Sequence, residues 1–195
     1  MVRQDFTEGS HANSPGTRFG EGVFKVGAYA QFGDIAVPAF AAGRTLIAKT
    51  AQVSAFFIAQ AYAPRVQKAG QGGSLLFFSS VAAGMGVANH AAIAAAKGGV
   101  EGLVRALAAD YSGAGLRVNA IAPGLLRTPA TARLLSNEAS TKAIRAQYPL
   151  GRHGKAEDAA ALGAFLLSDE AGWVTGQVIA LDGGFQAVRP MVRAG

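Results

Sequence analysis

Three places along the chain hold residue types that do chemistry. The stretch Ser74-Leu75-Leu76-Phe77-Phe78-Ser79-Ser80 carries four large apolar residues in a row and ends on paired hydroxyls. Lys97 is the only formal charge between Lys68 and Glu101, and it sits in the small-residue run Ala94-Ala95-Ala96-Lys97-Gly98-Gly99. An isolated cation there needs a reason, either a bound anion or an effect on a neighbouring hydroxyl. Third, Gly16, Gly20 and Gly22 have the G-x-x-x-G-x-G spacing of a loop whose backbone N–H groups cradle a dinucleotide phosphate. With 26 glycines in 195 residues this spacing arises readily by chance, and the mechanism also requires a strand before it and a helix after it. Only Val2 and Phe6 are large and apolar ahead of Gly16, so no buried strand leads in.

The positioning elements follow from the pattern. The run at 74–80 predicts a strand buried on both faces, as in a parallel sheet, with its polar end where chemistry would sit. Ten loop residues, Val81 to His90, lead into a helix through Lys97, Leu103, Leu107 and Tyr111. Ahead of them, Ala51, Ala55, Phe56, Ile58, Ala59 and Tyr62 fit a helix over 46–66 with a broad apolar face. Arg117 to Ala122 reads as a second strand closed by Pro123-Gly124, and Gln177 to Leu181 as a third closed by Asp182-Gly183-Gly184. Residues 134–147 and 156–167 read as helices, the latter with Glu157 and Asp158 in the first turn, where the helix dipole favours acids. Val23 to Ala30 is a weak strand pattern, and residues 1–22, polar and turn-forming, read as an N-terminal arm to one domain over 23–195. Alternating strands and helices predict an α/β fold with a mainly parallel sheet.

Composition narrows the function classes. Half the residues are hydrophobic and only 15% are charged, which suits a buried sheet. The absence of cysteine excludes disulfides, thiolate metal sites and cysteine nucleophiles, and no metal site is expected. The net charge of +6 comes from singly scattered Lys and Arg without aromatic interleaving, which argues against nucleic acid. The start lacks a signal-peptide core and no run approaches a membrane span, so a cytoplasmic location away from the membrane is the expectation.

Several motifs taken together resemble the short-chain dehydrogenase/reductase family. They are Ser79-Ser80-Val81-Ala82-Ala83-Gly84, Ala94 to Val100, Arg117 to Gly124 with Thr128, Gly151-Arg152-His153-Gly154 with Glu157-Asp158, Ser168 to Ala171, Thr175-Gly176 and Asp182-Gly183-Gly184. The resemblance is strongest over 46–185 and implies a Rossmann-like three-layer α/β/α fold. It also implies hydride transfer between NAD(P) and a carbonyl or alcohol carbon, with an Asn-Ser-Tyr-Lys set handling the proton. On that likeness Ser80 takes the serine position and Lys97 the lysine position, where it would also bind the nicotinamide ribose. Pro123, Gly124 and Thr128 would face the cofactor.

The departures are equally specific. The tyrosine position, one helical turn before Lys97, holds Ile93, and counting back from Gln60 and Pro64 puts Ala51 at the asparagine position. His90 shares a helix face with Ile93 at i, i+3 spacing, and a histidine is a residue type that could replace the proton donor there. The family's first strands and glycine-rich loop have no clear counterpart, so the N-terminal strands are expected to be reduced or missing and the 74–80 strand to form an open edge. Small apolar faces at Ala51, Ala55, Ala59 and at Ala92, Ala96, Gly99, Leu103 resemble the family's dimer helices, with packing inside the chain as the alternative. Two functions follow, with a small-molecule binding module that uses the remnant pocket without redox chemistry standing between them. One is a catalytically defective, regulatory or structural subunit of a homo-oligomer or of a hetero-oligomer with an intact relative. The other is an active NAD(P)-dependent oxidoreductase working through Ser80 and Lys97.

Overall fold

Alternation of side chains along three short strands explains how the sheet acquires two covered faces. In the computed structural model, which describes residues 17–18, 23–24 and 42–189 and side chains from residue 52 onward, the strands β3 (Gly73–Phe78), β4 (Leu116–Pro123) and β7 (Val178–Leu181) form a parallel sheet in the order β3-β4-β7. Register places Leu75 beside Val118 and Phe77 beside Ala120. These side chains share one face and pack with Ala55, Ala59, Ala63 and Val66 of α1 (Ala42–Ala69) and with Val100, Val104 and Leu107 of α3 (Ala91–Tyr111). The opposite parity, Ser74, Leu76, Arg117, Asn119 and Ile121, faces α5 (Ala156–Leu167). Ser74 and Arg117 donate to the Leu166 carbonyl, Arg117 also to that of Ser168, and Gly163 lets Leu76 and Ile121 close on the helix. Two helices, a sheet and a third helix make the three-layer α/β/α arrangement the motifs implied.

Most predicted elements stand where periodicity put them, with three corrections. The β3 strand is half-buried rather than buried on both faces, because among the described residues it has a strand neighbour on one side only; Phe78 at its end is 47% exposed. The central strand β4 has the continuous burial that was expected of β3. Second, the predicted loop 81–90 contains a one-turn helix, α2 (Val81–Gly84), capped by Ser80. Third, the predicted helix over 134–147 divides into a 3-10 segment, Pro129–Leu135, and α4 (Glu138–Arg145). Asn137 makes the break, since its side-chain oxygen accepts from the N–H groups of Ala139 and Ser140 and starts a new helix.

The long α1 runs through Pro64, which lacks the N–H for one helical bond, and ends at Gly70 in a left-handed conformation (φ 66°). Its alanine stripe at 55, 59 and 63 is spent on packing inside the chain, while Phe56, Ile58 and Tyr62 stay exposed. A two-residue parallel ladder joins β5 (Leu126–Arg127) to β6 (Gly154–Lys155). Residues Met1–Val37 form a separate unit in which β1 (Thr17–Arg18) and β2 (Val23–Phe24) pair antiparallel; β1 falls within the stretch read as an arm. The remaining unit is Pro38–Gly195.

Candidate active site

The chemistry-bearing side chains converge at the carboxyl end of β3, because the strand stops there and α3 returns past it. Lys97, half-buried and nearly two turns into α3, donates from Nζ to the Phe78 carbonyl at 2.7 Å. Burial lowers its pKa from the ordinary lysine value of 10.5. Ser80 accepts the Ala82 N–H at 3.2 Å, and its own proton has no acceptor among the described residues. It therefore remains able to donate to an oxygen placed beside it. Ile93 lies half-buried one turn before Lys97, where it offers no proton.

Beneath these two residues lies a bond that sequence reasoning missed. Ser79, 3% exposed, donates to the Glu101 carboxylate at 2.6 Å and makes a longer bond to the Lys97 carbonyl at 3.4 Å. Ser79 has the strand parity that faces α3, and Glu101 stands one turn beyond Lys97. The pair ties the end of β3 to the helix that carries the lysine. An alternating strand followed by Ser-Ser signals which serine points inward, but its partner comes from the helix docking.

His90 stands at the start of α3 with a local contact. It is the N-cap residue of α3 without a side-chain cap, and its Nδ1 lies 2.7 Å from the Ala88 carbonyl. None of the described tyrosines takes the vacant role. The hydroxyl of Tyr62 lies by Gly73, at the opposite end of β3; Tyr111 ends α3; and Tyr148 accepts the Leu125 N–H at 2.7 Å. Burial, reinforced by the Asp182 charge, raises the Tyr148 pKa, the reverse of what a lysine does for a catalytic tyrosine.

The residues expected to face a cofactor are brought together only in part. Pro123 ends β4 opposite Leu181, and Gly124 follows it, donating to the Leu181 carbonyl at 3.0 Å. A Cβ on Gly124 would meet the Tyr148 ring at 3.0 Å and Asp182 at 3.2 Å, so the close approach demands glycine. Thr128 is engaged elsewhere: its backbone and hydroxyl bond Thr131 in a capping box that starts the 129–135 segment. Gly16, Gly20 and Gly22 lie outside the described residues, as does any side chain at Ala51. The residues around the glycines pair strand to strand, Thr17 with Phe24 and Arg18 with Val23. Lys97 stands at the end of β3, and the Thr128 hydroxyl shares one hydrogen bond with that of Thr131 at 3.1 Å. Among the described residues no group of three or more His, Cys, Asp or Glu side chains gathers as a metal would require, and no helix is long and apolar enough to cross a membrane.

A pH test reads the Lys97 setting. Because its folded-state pKa is lowered, the unfolded chain binds more protons between that value and 10.5, and stability rises with pH across the window. Urea midpoints measured at neutral and at alkaline pH should therefore rise for the wild type relative to Lys97→Met, which removes the titrating group.

Comparison with known proteins places the chain. Residues 28–186 match the family model described as enoyl-(acyl carrier protein) reductase, of the short-chain alcohol dehydrogenase type. Among curated relatives, 2-(S)-hydroxypropyl-CoM dehydrogenase 3 of Xanthobacter autotrophicus is 42% identical over 120 residues, covering 60% of this chain and 47% of that protein. The same organism's inactive 2-(S)-hydroxypropyl-CoM dehydrogenase 2 is also 42% identical over 120 residues, covering 60% of this chain and 52% of the relative. The chain thus spans about half the length of the curated relatives it matches. A gluconate 5-dehydrogenase of Burkholderia cenocepacia, solved with NADP and tartrate, superposes with a TM-score of 0.72 at 27% identity, covering 77% of this chain and 59% of the other. With the three-layer fold, the Ser80 and Lys97 placement and these matches in agreement, the chain belongs to the short-chain dehydrogenase/reductase family.

Proposed function

We propose that this chain is a catalytically silent member of its family that works as a structural or regulatory subunit of an oligomer, formed with copies of itself or with an intact relative. The observation that carries the reading is Ile93, one turn before Lys97, with Tyr62, Tyr111 and Tyr148 each engaged away from Ser80. A lysine without the phenol whose pKa it lowers has lost the proton relay that the family's hydride transfer uses. The similarity to a relative named as inactive agrees with this reading.

Surface composition supports the subunit role. On α1, Phe56 is 53% and Ile58 55% exposed, and on α3 the positions Gly98 and Gly102 have open space around them. Apolar and small residues on neighbouring helices allow close helix-to-helix approach. Sedimentation of the purified chain should then give a dimer or larger species, and Ile58→Asp should return it to monomer. A monomeric wild type would remove self-association and leave only an intact relative as partner.

A second reading, an active NAD(P)-dependent oxidoreductase, draws on Ser80 following β3 and Lys97 bonding the last carbonyl of that strand, and on a relative solved with NADP. A bound nicotinamide would supply the hydride. Lys97 would hold its ribose, and the Ser80 hydroxyl would donate to the carbonyl oxygen. Titration with NADH and NADPH, followed by nicotinamide fluorescence and calorimetry, separates the two. The silent reading expects no catalytic turnover with either nucleotide across a panel of ketones; saturable binding of one nucleotide per chain together with turnover would overturn it.

A further inference from the structure

A cavity of 230 Å³ opens at the carboxyl ends of β4 and β7, beside the β5–β6 ladder. Four of its twelve lining residues are leucines, Leu125, Leu126, Leu150 and Leu181; it includes none of Ser80, Ile93 or Lys97 but does include Gly124. One of its charges, Asp182, has no opposite charge beside it among the described residues. Arg152 makes a two-pronged bond to Asp158, at 2.6 and 3.0 Å, and the Asp182 carboxylate accepts the N–H groups of Gly184 and Gln186. What is left over is Tyr148. It is 8% exposed and its oxygen accepts the Leu125 N–H, but among the described residues nothing accepts its proton. A buried O–H without an acceptor is unfavourable. A ligand oxygen would recover that cost.

We propose that this cavity is a binding site for a small uncharged molecule with one strong hydrogen-bond acceptor on a compact apolar body, such as a cyclic or aromatic ketone, whose oxygen takes the Tyr148 proton. Size sets the upper limit, since 230 Å³ is below the range of about 300–1,000 Å³ typical of larger ligand sites, which restricts the occupant to about one ring with a short substituent. Charge sets the class. With Arg152 neutralised by Asp158, the remaining Asp182 carboxylate repels anions. The raised Tyr148 pKa keeps the phenol protonated, and therefore a donor, at every physiological pH. The site does not depend on whether the Ser80–Lys97 centre is active.

The test titrates the full ¹⁵N-labelled chain with acetophenone and follows the amide of Leu125, whose N–H reports directly on the Tyr148 oxygen. The expected result is a saturating shift at Leu125, Leu126 and Gly183 with affinity of about millimolar. Ethylbenzene, which has no acceptor, should bind about tenfold more weakly, and benzoate should not bind. Tyr148→Phe should weaken acetophenone about tenfold. Because that variant also removes the acceptor for Leu125, Ala161→Phe serves as the independent control; it adds a ring at the cavity wall and should abolish the shift while leaving Tyr148 intact. The proposal is overturned by an absence of saturation to about 20 mM, by undiminished binding in Ala161→Phe, or by benzoate binding as well as acetophenone.

Discussion

Ile93→Tyr is expected to leave NAD(P)H oxidation at least about 10⁴-fold below that of an intact relative assayed in parallel. The substitution places a phenol one turn before Lys97, where the cation would lower its pKa, and Ser80 retains a free proton to hold a substrate oxygen. A positioned general acid contributes about 10²–10⁴-fold. Hydride transfer depends still more on holding the nicotinamide against the substrate, an effect equivalent to effective molarities of about 10⁵–10⁸ M. The described sheet ends at β3, the side on which a dinucleotide crevice needs further strands, and Thr128 is bonded to Thr131. On the proposed silent reading, restoring one proton donor therefore repairs the smaller of two deficits. Loss of nicotinamide absorbance in the presence of a ketone panel is the readout, and turnover within about a hundredfold of the relative would show that the crevice is complete.

The largest stability effect is expected at Asn119. It is fully buried on β4, where Nδ2 donates to the Val174 carbonyl at 2.8 Å and Oδ1 accepts the Gln177 N–H at 3.1 Å. These two bonds hold the loop that delivers β7 into register, next to the Gln177 carbonyl that accepts the Ala120 N–H. Asn119→Leu keeps the side-chain heavy-atom count but is bulkier, and it strips the Val174 carbonyl and the Gln177 N–H of their partners, at roughly 1–3 kcal/mol each. The expected loss is about 4 kcal/mol, a large share of the 5–15 kcal/mol typical of a domain. Urea denaturation with an unchanged m-value checks it. Ile121→Val, two residues on and equally buried, removes one methylene and should cost only about 1 kcal/mol. A similar loss in both variants would mean that packing, rather than the paired backbone groups, makes β4 sensitive.

Edge and centre exchange roles between the two longer strands. β3 carries the more hydrophobic run, yet it is the half-buried one, and β4, with Arg117 and Asn119 in its pattern, is the buried centre. The polar pair is affordable there because each side chain finds backbone partners across the sheet, Arg117 on the carbonyls after α5 and Asn119 on the loop before β7. The exposed apolar Phe78 on β3 is the counterpart, since it stands where the strand has no described neighbour.

By itself the amino-acid sequence determined the elements whose cause is local. The helix over Ala156–Leu167 with its acidic first turn, the strand closed by Pro123-Gly124, and the turn-by-turn relation of Ile93 to Lys97 all follow from periods of 3.6 and 2 and from turn residues. The family motifs were legible for the same reason, since each is contiguous. Only the tertiary structure decided which partners those residues meet. Ser79 finds Glu101 across 22 residues, Asn119 finds Val174 across 55, and Tyr148 reaches Leu125 across 23. Such bonds depend on how the layers dock, and no local period encodes the docking. The same holds for the half-exposed β3, because burial of a strand is a property of its neighbours in the sheet rather than of its own residues.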